Sequence, residues 1–109
     1  MNRPTRFYSK RQEDKVAKTL NGKRVANSGA TAFNKGDVTL DDWLIECKTM
    51  TSPKKSFTIQ KIWLEKNKEE AFAMGKYYSA LAFDFGDGVN QYVIDERLFK
   101  ILVEHLKGE

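Results

Sequence analysis

One cysteine, one histidine and two prolines are spread over 109 residues, and no apolar run is longer than a few residues. With a single cysteine, Cys47, no intramolecular disulfide can form, which suits a reducing compartment. One cysteine and one histidine also exclude a zinc site of the Cys/His type. Nothing approaches the ~20 consecutive apolar residues that cross a bilayer, and Met1-Asn2-Arg3-Pro4 is not followed by a signal-peptide core. A cytoplasmic protein without a membrane partner is therefore expected. Internal repeats and low-complexity tracts are absent, and the length suits a single domain over 1–109.

Charge is plentiful and unevenly placed. Nineteen Lys and Arg against fifteen Asp and Glu give a net charge of +4 and a pI near 9.2. Arg3, Arg6, Lys10, Arg11, Lys15 and Lys18 crowd the first segment, and Lys23, Arg24, Lys35, Lys54, Lys55 and Lys61 follow. Each alone is an ordinary surface charge. Together they favour a polyanionic partner such as nucleic acid.

The most informative stretch runs from Lys35 to Lys48. If Asp41 and Asp42 form the turn of a hairpin, Leu40 faces Trp43, Val38 faces Ile45, and Asp37 falls opposite Glu46. Directly opposed residues have β-carbons ~4.5–5.5 Å apart, and like charges there repel, so a cation is called for. Strand alternation puts Glu46, Lys48 and Asp37 on one face and Val38, Leu40, Trp43, Ile45 and Cys47 on the other. Two oxygen donors for a hard cation stand beside an amine that can neutralise phosphate, which outlines a phosphodiester-hydrolysing site. The simpler alternative is a solvated hairpin face on which Lys48 pairs with the acids.

Ser9 to Leu20 reads as a helix whose apolar stripe, Val16, Ala17 and Leu20, also carries Glu13. A buried carboxylate needs a metal or a basic partner inside the fold; otherwise Glu13 lies at the rim with its head in solvent. Cys47 alternates to the apolar face and reads as core. Thr49 to Ser56, with Pro53, Lys54 and Lys55, is a loop leaving the second hairpin strand. A helix is expected from about Phe57, with Ile59, Ile62 and Trp63 on one face, then a second short piece around Glu69 to Met74 ending at Gly75. Tyr78 to Phe85 is a buried strand, Gly86-Asp87-Gly88 a turn, and Gln91 to Ile94 its partner. Asp95 caps a last helix, with His105 in its final turn. Leu98, Ile101 and Leu102 form one stripe there, and Phe99, Val103 and Leu106 extend it. That wide face either packs over the sheet or forms part of a two-fold interface.

Glu13, the Arg24-Val25-Ala26-Asn27-Ser28-Gly29 stretch, Gly36-Asp37-Val38 and Ile45-Glu46-Cys47-Lys48, in that order, resemble the PD-(D/E)XK nuclease superfamily. Within it the likeness is to the archaeal-type Holliday-junction resolvases and their phage relatives. It is strongest from Glu13 to Lys48 and looser to Phe85, and Gly36 replaces the nominal proline. The resemblance implies an α/β fold with a restriction-endonuclease-like core, a central mixed sheet flanked by helices. It implies Asp37 and Glu46 as magnesium ligands with Glu13 completing the cluster, manganese substituting, and Lys48 acting on the scissile phosphate. Ser28 would contact phosphate, although Ser-Gly is also ordinary loop chemistry. Gln60 would reach the site from the next helix, or remain a surface amide. Arg11, Arg24, Lys35, Lys54 and Lys55 would grip DNA.

The activity so implied is magnesium-dependent endonucleolytic cleavage of four-way junctions by a homodimer, in a prokaryotic or phage-infected cell. A nuclease of the same superfamily acting on other branched, single-stranded or duplex DNA is an alternative. A non-catalytic nucleic-acid-binding domain is another.

Overall fold

Asp41 and Asp42 make the tight turn of the acidic hairpin, with Asp41 in the left-handed region at φ +40°. The strands it joins, β2 (Val38–Leu40) and β3 (Trp43–Lys48), pair in the anticipated register, Leu40 with Trp43 and Val38 with Ile45. The structure, a computed structural model, describes residues 5–25 and 37–108. Around the hairpin lie α1 (Thr5–Leu20), β1 (Lys23–Arg24), α2 (Lys61–Ala73), β4 (Tyr78–Phe83), β5 (Gln91–Val93) and α3 (Glu96–Lys107). Among the described residues five strands form one sheet, in the order β1-β2-β3-β4-β5. All pairings are antiparallel except β3 with β4, which run parallel because α2 carries the chain back between them. The chain is thus an α/β protein with a mixed sheet flanked by helices.

Alternation along β3 divides the interior into two layers. Val38, Ile45, Cys47, Ala80 and Ala82 bury against Val16 of α1, with Ala17, Leu20, Leu40 and Trp43 around them. Small residues on β4 let α1 come close to the sheet. On the other layer, Leu44 and Leu81 are fully buried, and α2 packs there against β3 and β4. Asn67 is buried within that contact and donates from Nδ2 to the carbonyls of Ala80 (3.1 Å) and Leu44 (3.4 Å). A polar residue is tolerated inside because both its donors find strand oxygens.

Three expectations need correction. Residues 61–73 form one helix, not two pieces: the polar run Glu65 to Glu70 interrupts the apolar period but consists largely of good helix formers. That helix begins at Lys61 rather than near Phe57, because the Phe57 ring is held against Phe83 (4.8 Å) and Trp63 (6.3 Å) and the chain stays extended through Gln60. It does end as anticipated, with Gly75 at φ +74° and the amides of Gly75 and Lys76 closing on Phe72 and Ala71. The run after Tyr78 leaves the sheet at Asp84, whose buried carboxylate accepts from Thr49 Oγ1 (2.7 Å) and the Gly86 amide (2.9 Å). A β-carbon on Gly86 would lie 2.4 Å from the Ser52 carbonyl, so the 49–56 loop and the β4–β5 turn are locked together.

Asp95 caps α3 by accepting from the Leu98 amide at 2.9 Å. The anticipated stripe does not lie over the sheet, however. Leu98 is the one buried residue of α3, whereas Phe99, Ile101, Leu102 and Leu106 are exposed. No helix among the described residues is long and apolar enough to cross a membrane.

Candidate active site

The register of the hairpin, carried one residue beyond Val38, sets Asp37 against Glu46 in the lining of a cleft of about 650 Å³ between the sheet and α2. Lys48 lines the same cleft two residues further along β3, on the same strand face. Its Nζ lies 3.4 Å from Glu46 Oε2 and 4.5 Å from the centroid of the Trp63 ring. A carboxylate on one side and an aromatic face on the other aim the amine into the cleft. Three of the four anticipated catalytic groups are therefore brought together.

The fourth stands apart. Glu13 is buried on α1 and accepts from Arg24 Nε at 3.1 Å, while Arg24 Nη1 reaches Asp14 at 3.5 Å. The need for a buried cation is met by a guanidinium, and Glu13 is not among the residues lining the cleft. Arg24, anticipated as a DNA contact, is correspondingly held by two carboxylates. Glu13, Asp37 and Glu46 do share an electrostatic neighbour in Cys47. Burial first, and then these three negative charges, push its thiol well above the ordinary range. Cys47 is thus a protonated core residue rather than a nucleophile.

A residue not anticipated from sequence takes the open side of the cleft. Glu70, from the last half of α2, hydrogen-bonds to Asp37. The pKa of Asp37 is pushed up to about 8, chiefly by burial, then by the Glu70 hydrogen bond and by the charges of Glu70 and Glu46, with Lys48 opposing. Asp37 is 4 % exposed, and its Oδ1 is buried without a hydrogen-bond partner among the described residues. A buried acceptor left over beside two further carboxylates lacks positive charge. Sequence spacing gave no sign of Glu70, because its pairing with the hairpin depends on the path of α2 across the sheet. Heptad-like position alone puts it near Lys66 and Asn67, which also line the cleft.

Gln12 was also missed. It is buried at the end of β3 and donates from Nε2 to Lys48 O (2.8 Å), Ala82 O (3.2 Å) and Asn90 Oδ1 (3.0 Å). By tying the ends of β3 and β4 together it fixes the backbone from which Lys48 projects.

Other anticipated contacts are spread more widely. Arg11 is exposed with its guanidinium 5.5 Å from the rings of both Phe7 and Tyr8. Lys54 and Lys55 are exposed on the 49–56 loop. Gln60 is exposed as the residue before α2 and does not line the cleft, because the late start of the helix leaves it outside. Ser28 and Lys35 lie outside the described residues.

The donor set is all oxygen, which suits a hard divalent cation such as Mg2+ or Mn2+. Among the described residues no group of three or more His, Cys, Asp and Glu side chains stands ready-made around a metal position. Mg2+ keeps much of its water and is commonly held by one or two carboxylates, so Asp37 with Glu46 or Glu70 is a sufficient donor set. The orphaned Asp37 Oδ1 fits that role. Comparison with protein-family models, with curated proteins and with solved structures finds no match to this chain.

Proposed function

We propose that this protein is a metal-dependent endonuclease of the PD-(D/E)XK type that hydrolyses DNA phosphodiesters, with four-way junctions as its preferred substrate. The observation that carries the reading is the convergence of Asp37, Glu46 and Lys48 in one cleft, with a buried Asp37 oxygen left unpartnered among the described residues. The mixed sheet with the acidic hairpin near its centre is compatible with the restriction-endonuclease-like core that the sequence resemblance implies.

Asp37, with Glu46 or Glu70, would hold the cation. When bound, Mg2+ polarises a phosphoryl oxygen and lowers the pKa of coordinated water. The remaining work falls to the chain itself. Lys48, steadied by Glu46 and the Trp63 ring, places a positive charge where the scissile phosphate gains negative charge during in-line attack. A carboxylate of the acidic group, in its ionised form, orients the attacking water. Gln12 keeps Lys48 in register with this chemistry by holding its carbonyl. Exposed lysines on the 49–56 loop, which leaves the active-site strand directly, supply contacts to flanking phosphates.

The test is a panel of end-labelled substrates incubated with Mg2+: four-way junction, flap, single strand and linear duplex. Paired symmetric incisions in the junction support the full reading. Cleavage confined to the other substrates keeps the chemistry and replaces the substrate, and absence of cleavage on all of them rejects the enzyme.

A further inference from the structure

Among the described residues the two most exposed large apolar side chains, Phe72 at 86 % and Tyr77 at 81 %, line one cleft. Phe72 stands on the last turn of α2. The chain reverses at Gly75, closed by the Lys76 amide on the Ala71 carbonyl at 2.8 Å, and so returns Tyr77 to the same place. The cleft, of about 440 Å³, lies between α2, the start of β4 and α3. It is separate from the candidate active site: Lys66, Glu70 and Ala73 face that site, whereas Lys68 and Phe72, four residues apart, share the other side of the same helix. One exposed ring is ordinary, but two rings beside one cleft mark a surface that meets a ligand.

The charges of the lining indicate which ligand. Among the described residues three cations, Lys68, Lys76 and Arg97, stand against one carboxylate, Asp95, which Lys68 Nζ contacts at 2.5 Å. Lys76 Nζ donates to the uncharged Asp41 carbonyl at 2.6 Å, a contact that leaves its positive charge in place. Arg97 is exposed at the start of α3. The lining is therefore positive in excess. Lysine is depleted where proteins meet proteins, so lysines beside the rings argue against a protein partner. A duplex offers phosphates but keeps the faces of its bases inside the stack. A single strand presents both, bases to stack on Phe72 and Tyr77 and phosphates for Lys76 and Arg97.

We propose that this cleft is a binding site for single-stranded nucleic acid, in which unpaired bases stack on Phe72 and Tyr77 while Lys76 and Arg97 hold the backbone. Tyr77 is backed by the Tyr78 ring at 6.4 Å, itself 5.2 Å from Trp43, so the platform is anchored to the strands. Stacking on ring faces is tolerant of base sequence. The site uses none of the residues assigned to the candidate active site, and the inference does not rest on the nuclease reading.

Fluorescence anisotropy of the full chain in EDTA tests it, with a labelled oligothymidylate of about ten nucleotides and an abasic chain of the same length and charge. Phosphate contacts made elsewhere on the protein act on both chains alike, so the difference between them reports stacking. The wild type binds the thymidylate chain about tenfold or more tightly than the abasic one. Phe72→Ala combined with Tyr77→Ala abolishes that preference, and circular dichroism shows the fold retained, as the exposure of both rings requires. Arg97→Ala keeps the preference, weakens binding and lowers the salt slope by about 0.7. The proposal is overturned by a wild type that binds the two chains equally, which would return the rings to a protein partner. It is overturned equally by a folded double variant that keeps the preference, or by Arg97→Ala with an unchanged salt slope. Because binding is read without metal, the outcome does not depend on whether the protein cleaves.

Discussion

Asp37, at the entrance to β2, and Glu70, three turns into α2, share a hydrogen bond between two carboxyl groups across the candidate active-site cleft. Such a contact needs one proton between the pair, or a cation in its place. The relationship connects the stability of the protein to pH and to divalent metal, and it leads to the first two predictions.

In the folded protein Asp37 retains its proton up to about pH 8, against 3.8 for an ordinary aspartate. The folded state therefore binds this proton more tightly than the unfolded chain. The stabilisation is complete below the unfolded value and is lost as pH rises towards the folded one. Metal-free protein should lose stability, on the order of a few kcal/mol, between about pH 4 and about pH 8 through this group. Urea unfolding in the presence of EDTA at a series of pH values measures it, and Asp37→Asn should remove most of the slope.

Glu70→Gln should leave the metal-free protein as stable as the wild type or more so, because it removes one of two facing carboxylates. It should weaken Mn2+ binding by roughly 10–100-fold. Isothermal titration calorimetry distinguishes this from a surface role for Glu70, for which affinity would not change.

The buried Glu13 pair makes a contrasting prediction. Arg24→Met leaves a buried carboxylate without its guanidinium and should destabilise the fold by about 2–3 kcal/mol. Glu13→Gln in the same chain should recover part of that loss. The measured quantity is the coupling energy from the double-mutant cycle, which is near zero if the two side chains act independently.

Gln12→Leu should cost about 1–3 kcal/mol in thermal or urea unfolding, since it leaves the Lys48 and Ala82 carbonyls and Asn90 without their shared donor. Its effect on cleavage should exceed that expected from stability alone and appear in kcat rather than KM, because Gln12 positions Lys48 without touching substrate.

How much of this was legible in the sequence depended on the distance over which each signal acts. The hairpin register, the two faces of β3 and the Asp95 cap follow from strand alternation and local hydrogen bonding, and each could be read from a few adjacent residues. Glu13 was recognisable as a buried acid in need of a base, but its partner Arg24 lies across a chain reversal and could as easily have been a metal. Glu70, Gln12 and Asn67 carried no local mark. Their roles arise where α1 and α2 cross strand ends, and hydrophobic periodicity treats a buried amide as a break in the pattern. The same blindness divides α2 into two pieces, whereas Gln60 at the site follows from the family resemblance alone, and its other reading, a surface amide, is what the structure shows. The exposed face of α3 was visible as a wide apolar stripe, whereas its separation from the sheet was not, since periodicity reports that a face is apolar but not what lies opposite.

Cleavage of a labelled four-way junction by the wild-type protein and by Asp37→Asn, each in Mg2+ and in EDTA, tests the central claim most directly. Incision is expected only from the wild type in Mg2+, with the variant still binding the junction. Cutting at the wild-type rate by Asp37→Asn, or cutting that persists in EDTA, would contradict it.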